Sequence, residues 1–196
     1  MRLAVVACLV LVACGSPTSP GTDAGVDAGG CDGPVKSPPN LVKNPGFECG
    51  GDAPAEWSPF FGDLTFVADA HSGTRAAHVT AISNGSAQFS YAPIVVTASG
   101  AARTYCATAW MKGTSPNAKL SLLVDVGGGG TEYTFTSPVN GTWIRLPPST
   151  SLKVPAPVNG KVYLRFQMKD GVAGNVLLVD DLDVWESADG RCQEPR

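Results

Sequence analysis

The stretch that decides the fold is residues 161–169, which read Lys161-Val162-Tyr163-Leu164-Arg165-Phe166-Gln167-Met168-Lys169. Its even-numbered positions, from Val162 to Met168, are all apolar, whereas Tyr163, Arg165 and Gln167 carry polar groups. Because the side chains of a β-strand point alternately to its two faces, this period of two predicts a strand with one face in the core. Its other face is left to solvent or to a ligand.

The same alternation recurs on both sides of this stretch. Residues 119–126 place apolar side chains at every even position, and residues 105–112 place them at every odd position. Other candidate strands lie at 41–48, 64–68, 76–81, 88–91, 94–98, 132–136, 143–146 and 176–185. Roughly ten short strands predict a sandwich of two sheets.

Turn residues separate these strands, as at Asn84-Gly85, Asn140-Gly141 and Asn159-Gly160. The chain holds 23 Gly and 16 Pro among 196 residues, and no run of ten residues repeats with the helical period of 3.6. Both observations exclude a helical bundle. The sequence therefore predicts an all-β protein, an antiparallel β-sandwich of the jelly-roll type.

The N-terminus has the pattern of an export signal. Arg2 precedes an apolar run from Leu3 to Ala13, which is too short to span a bilayer as a helix. The run ends in Leu11-Val12-Ala13-Cys14, which resembles the lipobox of bacterial lipoproteins and implies that Cys14 is lipidated. We expect an exported protein anchored in the cell envelope by lipid on Cys14. Gly15 favours the outer membrane, by the sorting rule of enteric bacteria.

Residues 14–39 are rich in Gly, Ser, Pro, Thr, Asp and Ala, and this segment lacks aromatic residues. Such a composition cannot bury enough apolar surface to offset its ordering entropy, so it predicts a flexible tether. The predicted organisation is thus a signal peptide at 1–13, a tether at 14–39 and one β-sandwich domain at 40–196.

The charge pattern gives no sign of a nucleic-acid partner. The formal net charge is −3, and the sequence holds no run of basic residues. Since phosphate neutralisation requires a basic face, nucleic-acid binding is not expected. We expect a monomer.

Four cysteines remain if Cys8 leaves with the signal peptide and Cys14 carries lipid: Cys31, Cys49, Cys106 and Cys192. In an exported chain four cysteines predict two disulfides, for which three pairings exist. Domain termini are often close together, which favours Cys31 with Cys192 and leaves Cys49 with Cys106. The spacings fit no zinc site.

The order of motifs along residues 40–185 resembles that of carbohydrate-binding modules of the family 4, 9 and 22 type, which are galactose-binding-like jelly rolls. The motifs that carry the resemblance are short, and they read Asn40-Leu41-Val42-Lys43-Asn44-Pro45-Gly46-Phe47-Glu48, Trp57, His71-Ser72-Gly73-Thr74-Arg75-Ala76-Ala77, Thr104 to Lys112, Gly141-Thr142-Trp143 and Leu177 to Val184.

The resemblance implies a structural calcium ion between the opening and closing strands. The matching carboxylates are Glu48 and one of Asp180 or Asp181, of which Asp180 is favoured because adjacent strand residues face opposite ways. Oxygen ligands of this kind suit Ca²⁺.

The resemblance also implies a sugar site, in which exposed rings stack on pyranose faces and polar side chains bind hydroxyls. The candidates are Trp110, Tyr163, Arg165 and Gln167, with Gln88, Phe60 and Phe61 as further possibilities. Each aromatic side chain could instead be part of the packing.

Known catalytic motifs are missing from the sequence, which has only two histidines, no HExxH and no nucleophile elbow. We therefore expect a non-catalytic, lipid-anchored protein that binds a polysaccharide or other glycan. The alternative is a structural or protein-interaction lipoprotein with the same fold and no sugar site.

Overall fold

A computed structural model describes residues 35–50, 56–96, 103–127 and 129–195. The predicted signal peptide, Cys14, most of the tether and Cys31 lie outside the described residues. The strands of the described chain are β1 (Trp57–Phe60), β2 (Gly62–Val67), β3 (Ala76–Ala81), β4 (Gly85–Tyr91), β5 (Ile94–Val95), β6 (Thr104–Gly113), β7 (Asn117–Asp125), β8 (Gly130–Ser137), β9 (Ile144–Leu146), β10 (Leu152–Pro155), β11 (Lys161–Gly171) and β12 (Val176–Ser187).

These strands form two six-stranded antiparallel sheets. The front sheet has the order β1-β4-β11-β7-β8, with β5 also paired to β11. The back sheet has the order β10-β6-β12-β3-β2, with β9 also paired to β6. The prediction of an all-β sandwich is confirmed. Within the described residues, no helix is long and apolar enough to cross a membrane.

The core lies between the sheets and follows the alternation in the sequence. On β11, Leu164 and Phe166 are almost fully buried, whereas Tyr163 keeps 37% of its surface exposed. The back sheet contributes Tyr105, Met111 and other side chains with no exposed surface. Burying large apolar side chains contributes about 1.5–3 kcal/mol each, so the alternating pattern fixes which face of each strand turns inward.

The predicted strand at 41–48 is wrong. Asn44 and Phe47 have φ angles of 50° and 58°, which no strand accommodates. The Asn44 side chain instead hydrogen-bonds both backbone groups of Cys49, at 2.7 and 3.0 Å. The segment still closes the sandwich, because Val42 and Phe47 are buried in the core.

The predicted disulfide pairing is also wrong, since Cys106 is bonded to Cys192. Cys106 lies on β6 opposite Trp185 of β12, and the turn after Ser187 brings Cys192 back to within 5.6 Å between Cα atoms. Cys49 is disulfide-bonded as well. The proximity of termini was the wrong criterion, because the strand order places Cys192 beside β6.

Replacing Cys106 and Cys192 together by alanine should lower the free energy of unfolding by about 2–5 kcal/mol, because the bridge closes a long loop. Chemical denaturation of the oxidised protein measures this loss. Peptide mass mapping should find Cys106 linked to Cys192. A peptide linking Cys106 to Cys49 would contradict the structure.

Candidate functional site

The outer face of the front sheet brings three of the predicted sugar ligands together. Tyr163, Arg165 and Gln167 project from β11, which lies between β4 and β7 in the sheet. Strand register places Arg165 between Ser90 and Ser121, with Thr134 of β8 one strand further on. Cross-strand neighbours on one face have Cβ atoms about 4.5–5.5 Å apart. These side chains therefore form one continuous polar surface, which we call the front face.

A surface cavity of about 360 Å³ lies at the Tyr163 end of the front face. Two segments border it, the adjoining ends of β7 and β8 at Asp125 and Gly130 and the turn at Asn159. They are tied together by the Val158 N–H, which donates to the Asp125 carbonyl at 2.7 Å. The cavity is lined by Ser90, Leu123, Val124, Asp125, Gly130, Asn159, Tyr163, Leu164 and Arg165. Its volume is at the lower end of the range for small-ligand sites.

The other end of the front face carries a second aromatic group. Phe60 of β1 lies opposite Gln88, which in turn lies opposite Gln167. Phe60 is 54% exposed and contacts Phe61 edge to face, with ring centroids 4.1 Å apart. The front face thus has an exposed aromatic group near each end and amide side chains in between.

Charged groups lie beside Arg165 in the middle of the front face. The Lys119 ammonium donates to both oxygens of Glu132, at 3.0 and 3.1 Å. The Arg165 Nη1 atom is 3.6 Å from the same carboxylate. Partial burial opposes ionisation of Glu132, but Lys119 and Arg165 outweigh it and hold the pKa of Glu132 below its usual value.

Two polar atoms next to this charge cluster lack hydrogen bonds. Within the described residues, neither the Arg165 Nε nor the Ser121 Oγ has a hydrogen-bond partner, although both atoms are buried. The Ser121 hydroxyl is near enough to Glu132 to lower the pKa of that carboxyl group. The two side chains are nevertheless not aligned for a hydrogen bond. A buried unpaired polar group costs about 1–3 kcal/mol, and such groups call for an explanation. The two residues are direct cross-strand neighbours at the centre of the front face.

Trp110 does not join this group. It lies on β6 of the back sheet, on the opposite side of the sandwich. The His71 ring stacks on it, with centroids 3.7 Å apart and an angle of 14° between the planes. Trp143 meets the same histidine edge to face. One site cannot contain both Trp110 and Tyr163, and His71 occupies one face of the indole that a sugar would need.

The predicted calcium ligands lie around the loop at 71–75. Glu48 accepts hydrogen bonds from the Thr74 and Arg75 N–H groups and from the Thr74 hydroxyl. Gly73 has a φ of 65°, and a Cβ there would lie 2.2 Å from the Glu48 carboxylate, so only glycine fits. The geometry of this turn thus depends on Glu48.

Asp180 is fully buried and receives N–H groups from His71, Ser72 and Asp181. Burial raises the pKa of Asp180 to about 6, and the neighbouring Asp181 carboxylate adds to this shift. The expectation that Asp181 points away is wrong. A bulge after Asp180, with Asp181 at a φ of 45°, turns both carboxylates toward Gly46 and the 71–75 loop.

The carboxylates of Glu48, Asp180 and Asp181 face one loop, and oxygen donors of this kind suit a hard cation. The His71 ring is bonded to Asp181. Their present arrangement is not a metal cage. In the described part of the chain, no three His, Cys, Asp or Glu side chains are grouped to hold a metal. The carboxylate oxygens accept N–H and O–H groups instead.

The described fold is that of carbohydrate-binding modules. A family 61 carbohydrate-binding module, solved with β-1,4-galactotriose, is 24% identical over 76% of this chain and 99% of the module, with a TM-score of 0.53. A xylan-binding family 22 module from Paenibacillus barcinonensis is 12% identical over 72% of this chain and 90% of its own length, with a TM-score of 0.52. No known protein family matches the sequence. No curated protein is significantly similar to it.

The same fold also occurs in an enzyme. A cyclase from Fischerella is 13% identical over 74% of this chain and 96% of the cyclase, with a TM-score of 0.56. Likeness of fold therefore does not separate binding from catalysis, because function depends on the residues of the site.

The sequence pointed to Tyr163, Arg165 and Gln167 but not to their partners. Ser121 and Lys119 were visible as polar positions on an alternating strand, yet nothing in the sequence placed that strand beside β11. Glu132 gave no signal at all, because its role depends on the pairing of β8 with β7.

Proposed function

We propose that this chain is a non-catalytic glycan-binding protein, held at the cell envelope by lipid on Cys14, whose front face binds the sugar. Tyr163 stacks on a pyranose ring beside the cavity, while Arg165 and Gln167 bind its polar groups. The observation that carries the proposal is the exposed Tyr163 ring on the same strand face as the partly exposed Arg165, whose Nε has no hydrogen-bond partner among the described residues.

The arrangement is what recognition of a sugar requires. A pyranose has apolar faces that gain from contact with an aromatic ring and hydroxyls that need polar partners. Tyr163 and Arg165 are two residues apart on one strand, so their side chains are about 7 Å apart along the front face. One sugar ring can contact both. The carbohydrate-binding modules among the structural neighbours support the same reading.

Replacing Tyr163 by alanine should weaken glycan binding at least tenfold, because the stacking surface is lost, and Tyr163→Phe should retain most of it. Affinity electrophoresis of the full chain in gels containing β-1,4-galactan, xylan or polygalacturonate measures this. Trp110→Ala is the matched control on the opposite sheet and should bind like the parent protein once circular dichroism shows that it is folded.

Three results would contradict the proposal. If Trp110→Ala and Tyr163→Ala lost glycan binding equally, the binding site would not be confined to the front face. If the protein bound none of the cell-wall, capsular or plant glycans, the result would favour the alternative of a structural or protein-interaction lipoprotein. Products of reduced size after incubation with a glycan would show that the protein is an enzyme.

Calcium is part of the proposal, held by Glu48 and Asp180, where it would supply positive charge to the buried carboxylate of Asp180 and to the exposed carboxylate of Glu48. A ligand bound only by the native state raises stability, so chelation should lower the unfolding midpoint. The expected drop is about 5–10 °C if calcium had been a hundredfold above its dissociation constant. Glu48→Gln should abolish this dependence, whereas Glu132→Gln should keep it. An unchanged unfolding midpoint in the parent protein after chelation would contradict the proposed calcium site.

The lipid anchor can be tested separately from sugar binding. The full chain expressed in a Gram-negative host should enter the detergent phase on phase separation, and Cys14→Ser should leave it in the aqueous phase. Cys8→Ser is the matched control, since that residue lies inside the predicted signal peptide. Equal partitioning of the two variants would refute lipidation at Cys14.

A further inference from the structure

The middle of the front face has more positive than negative charge. Lys119 and Arg165 share a single carboxylate, that of Glu132. The three groups together carry one surplus positive charge, although the whole chain has a formal net charge of −3. Partly exposed ion pairs contribute little to the stability of a protein. Salt-bridge stability therefore does not explain why an acidic protein has an extra positive charge at the centre of this sheet surface.

Arg165 has donors that the protein does not use. A guanidinium has five N–H donors arranged as a planar fork. In the described part of the chain, Arg165 makes one ionic contact, at 3.6 Å, and its Nε has no acceptor. Nε itself is buried, whereas the side chain as a whole is 30% exposed, so a ligand can reach the other atoms of the group. Lys119, by contrast, is 11% exposed and is held by Glu132 at hydrogen-bonding distance.

The planar arrangement of the Arg165 donors indicates which kind of ligand group would bind there. A carboxylate accepts two parallel N–H bonds from one guanidinium, and charged pairs of this kind are roughly twice as strong as neutral hydrogen bonds. A single sugar hydroxyl would use fewer of the free donors and leave the surplus charge unbalanced. The open geometry of Arg165 therefore fits an anion with two oxygens in one plane.

The other acidic groups of the front face do not fill this role. Asp125 is four residues from Ser121 on β7, about 13 Å along the strand, and its carboxylate accepts the Gly127 N–H at 2.9 Å. Asp170 accepts from Asn117 at the opposite end of the strand pair. Neither competes with a ligand for Arg165.

We infer that the glycan bound by the front face contains a uronic acid, whose carboxylate pairs with Arg165 beside Lys119 while Tyr163 stacks on a sugar ring. This inference rests on the proposed function and specifies its ligand class. Glu132 then holds the two cations in place when no sugar is bound, and it competes with the incoming carboxylate.

The test uses the full chain and pairs of polymers that differ only in charge. The probes are polygalacturonate and alginate, each compared with its carboxyl-reduced form, and a sulfated galactan. We expect at least one uronate polymer to bind tenfold or more tightly than its reduced form and than the sulfated galactan. Glu132→Gln should raise the affinity for that uronate several-fold, since a competing carboxylate is removed. Arg165→Gln should abolish the preference.

Lys153→Gln, on β10 of the back sheet, is the control for general charge and should leave both affinities unchanged. Equal binding of a reduced polymer or of the sulfated galactan would overturn the inference. So would a decrease in uronate affinity in Glu132→Gln. Binding to neutral glycans alone, still dependent on Tyr163, would overturn the uronate inference and keep the proposed function. Absence of binding to every polymer would count against both.

Discussion

The pairing of β11 at the centre of the front sheet is the constraint on which the rest of the structure depends. This strand is hydrogen-bonded to β4 and β5 on one side and to β7 on the other. Its inner side chains, including Leu164 and Phe166, fill the core, and its outer side chains form the centre of the front face. A slip of one residue would exchange the two sets. The same packing that stabilises the sandwich therefore fixes where Tyr163 and Arg165 stand.

A second constraint closes the sandwich around the start and the end of the domain. Backbone N–H groups of the 71–75 loop donate hydrogen bonds to the carboxylates of Glu48 and Asp180. Glu48 lies near the start of the domain and Asp180 near its end. The disulfide between Cys106 and Cys192 ties the segment after β12 to β6. Both features lie away from the front face, so they stabilise the domain without contacting the proposed binding residues.

Alternation in the sequence was sufficient to predict the sandwich and the outward direction of Tyr163, Arg165 and Gln167. It reports which face of a strand is buried, because burial has the same period as the backbone. It does not report which strands are neighbours. The sequence therefore left Trp110 grouped with Tyr163, although β6 and β11 belong to different sheets.

The remaining errors have the same origin. The partner of Cys106 depends on β12 lying next to β6, and the direction of Asp181 depends on a bulge that a regular strand pattern does not contain. The cluster of Lys119, Glu132 and Arg165 requires the register of three strands. Contacts between distant parts of a chain are set by sheet order and by local irregularities, which period-two patterns do not encode.

The most direct test of glycan binding by the front face is a nuclear magnetic resonance titration of the isotope-labelled protein with two oligosaccharides, trigalacturonate and β-1,4-galactotriose. If the front face is the site, at least one of them should shift the backbone amide signals of Ser90, Ser121, Leu123, Tyr163 and Arg165 and leave those of His71, Trp110 and Trp143 unchanged. Shifts confined to the region of His71, Trp110 and Trp143 would contradict glycan binding by the front face, and so would the absence of shifts with both ligands.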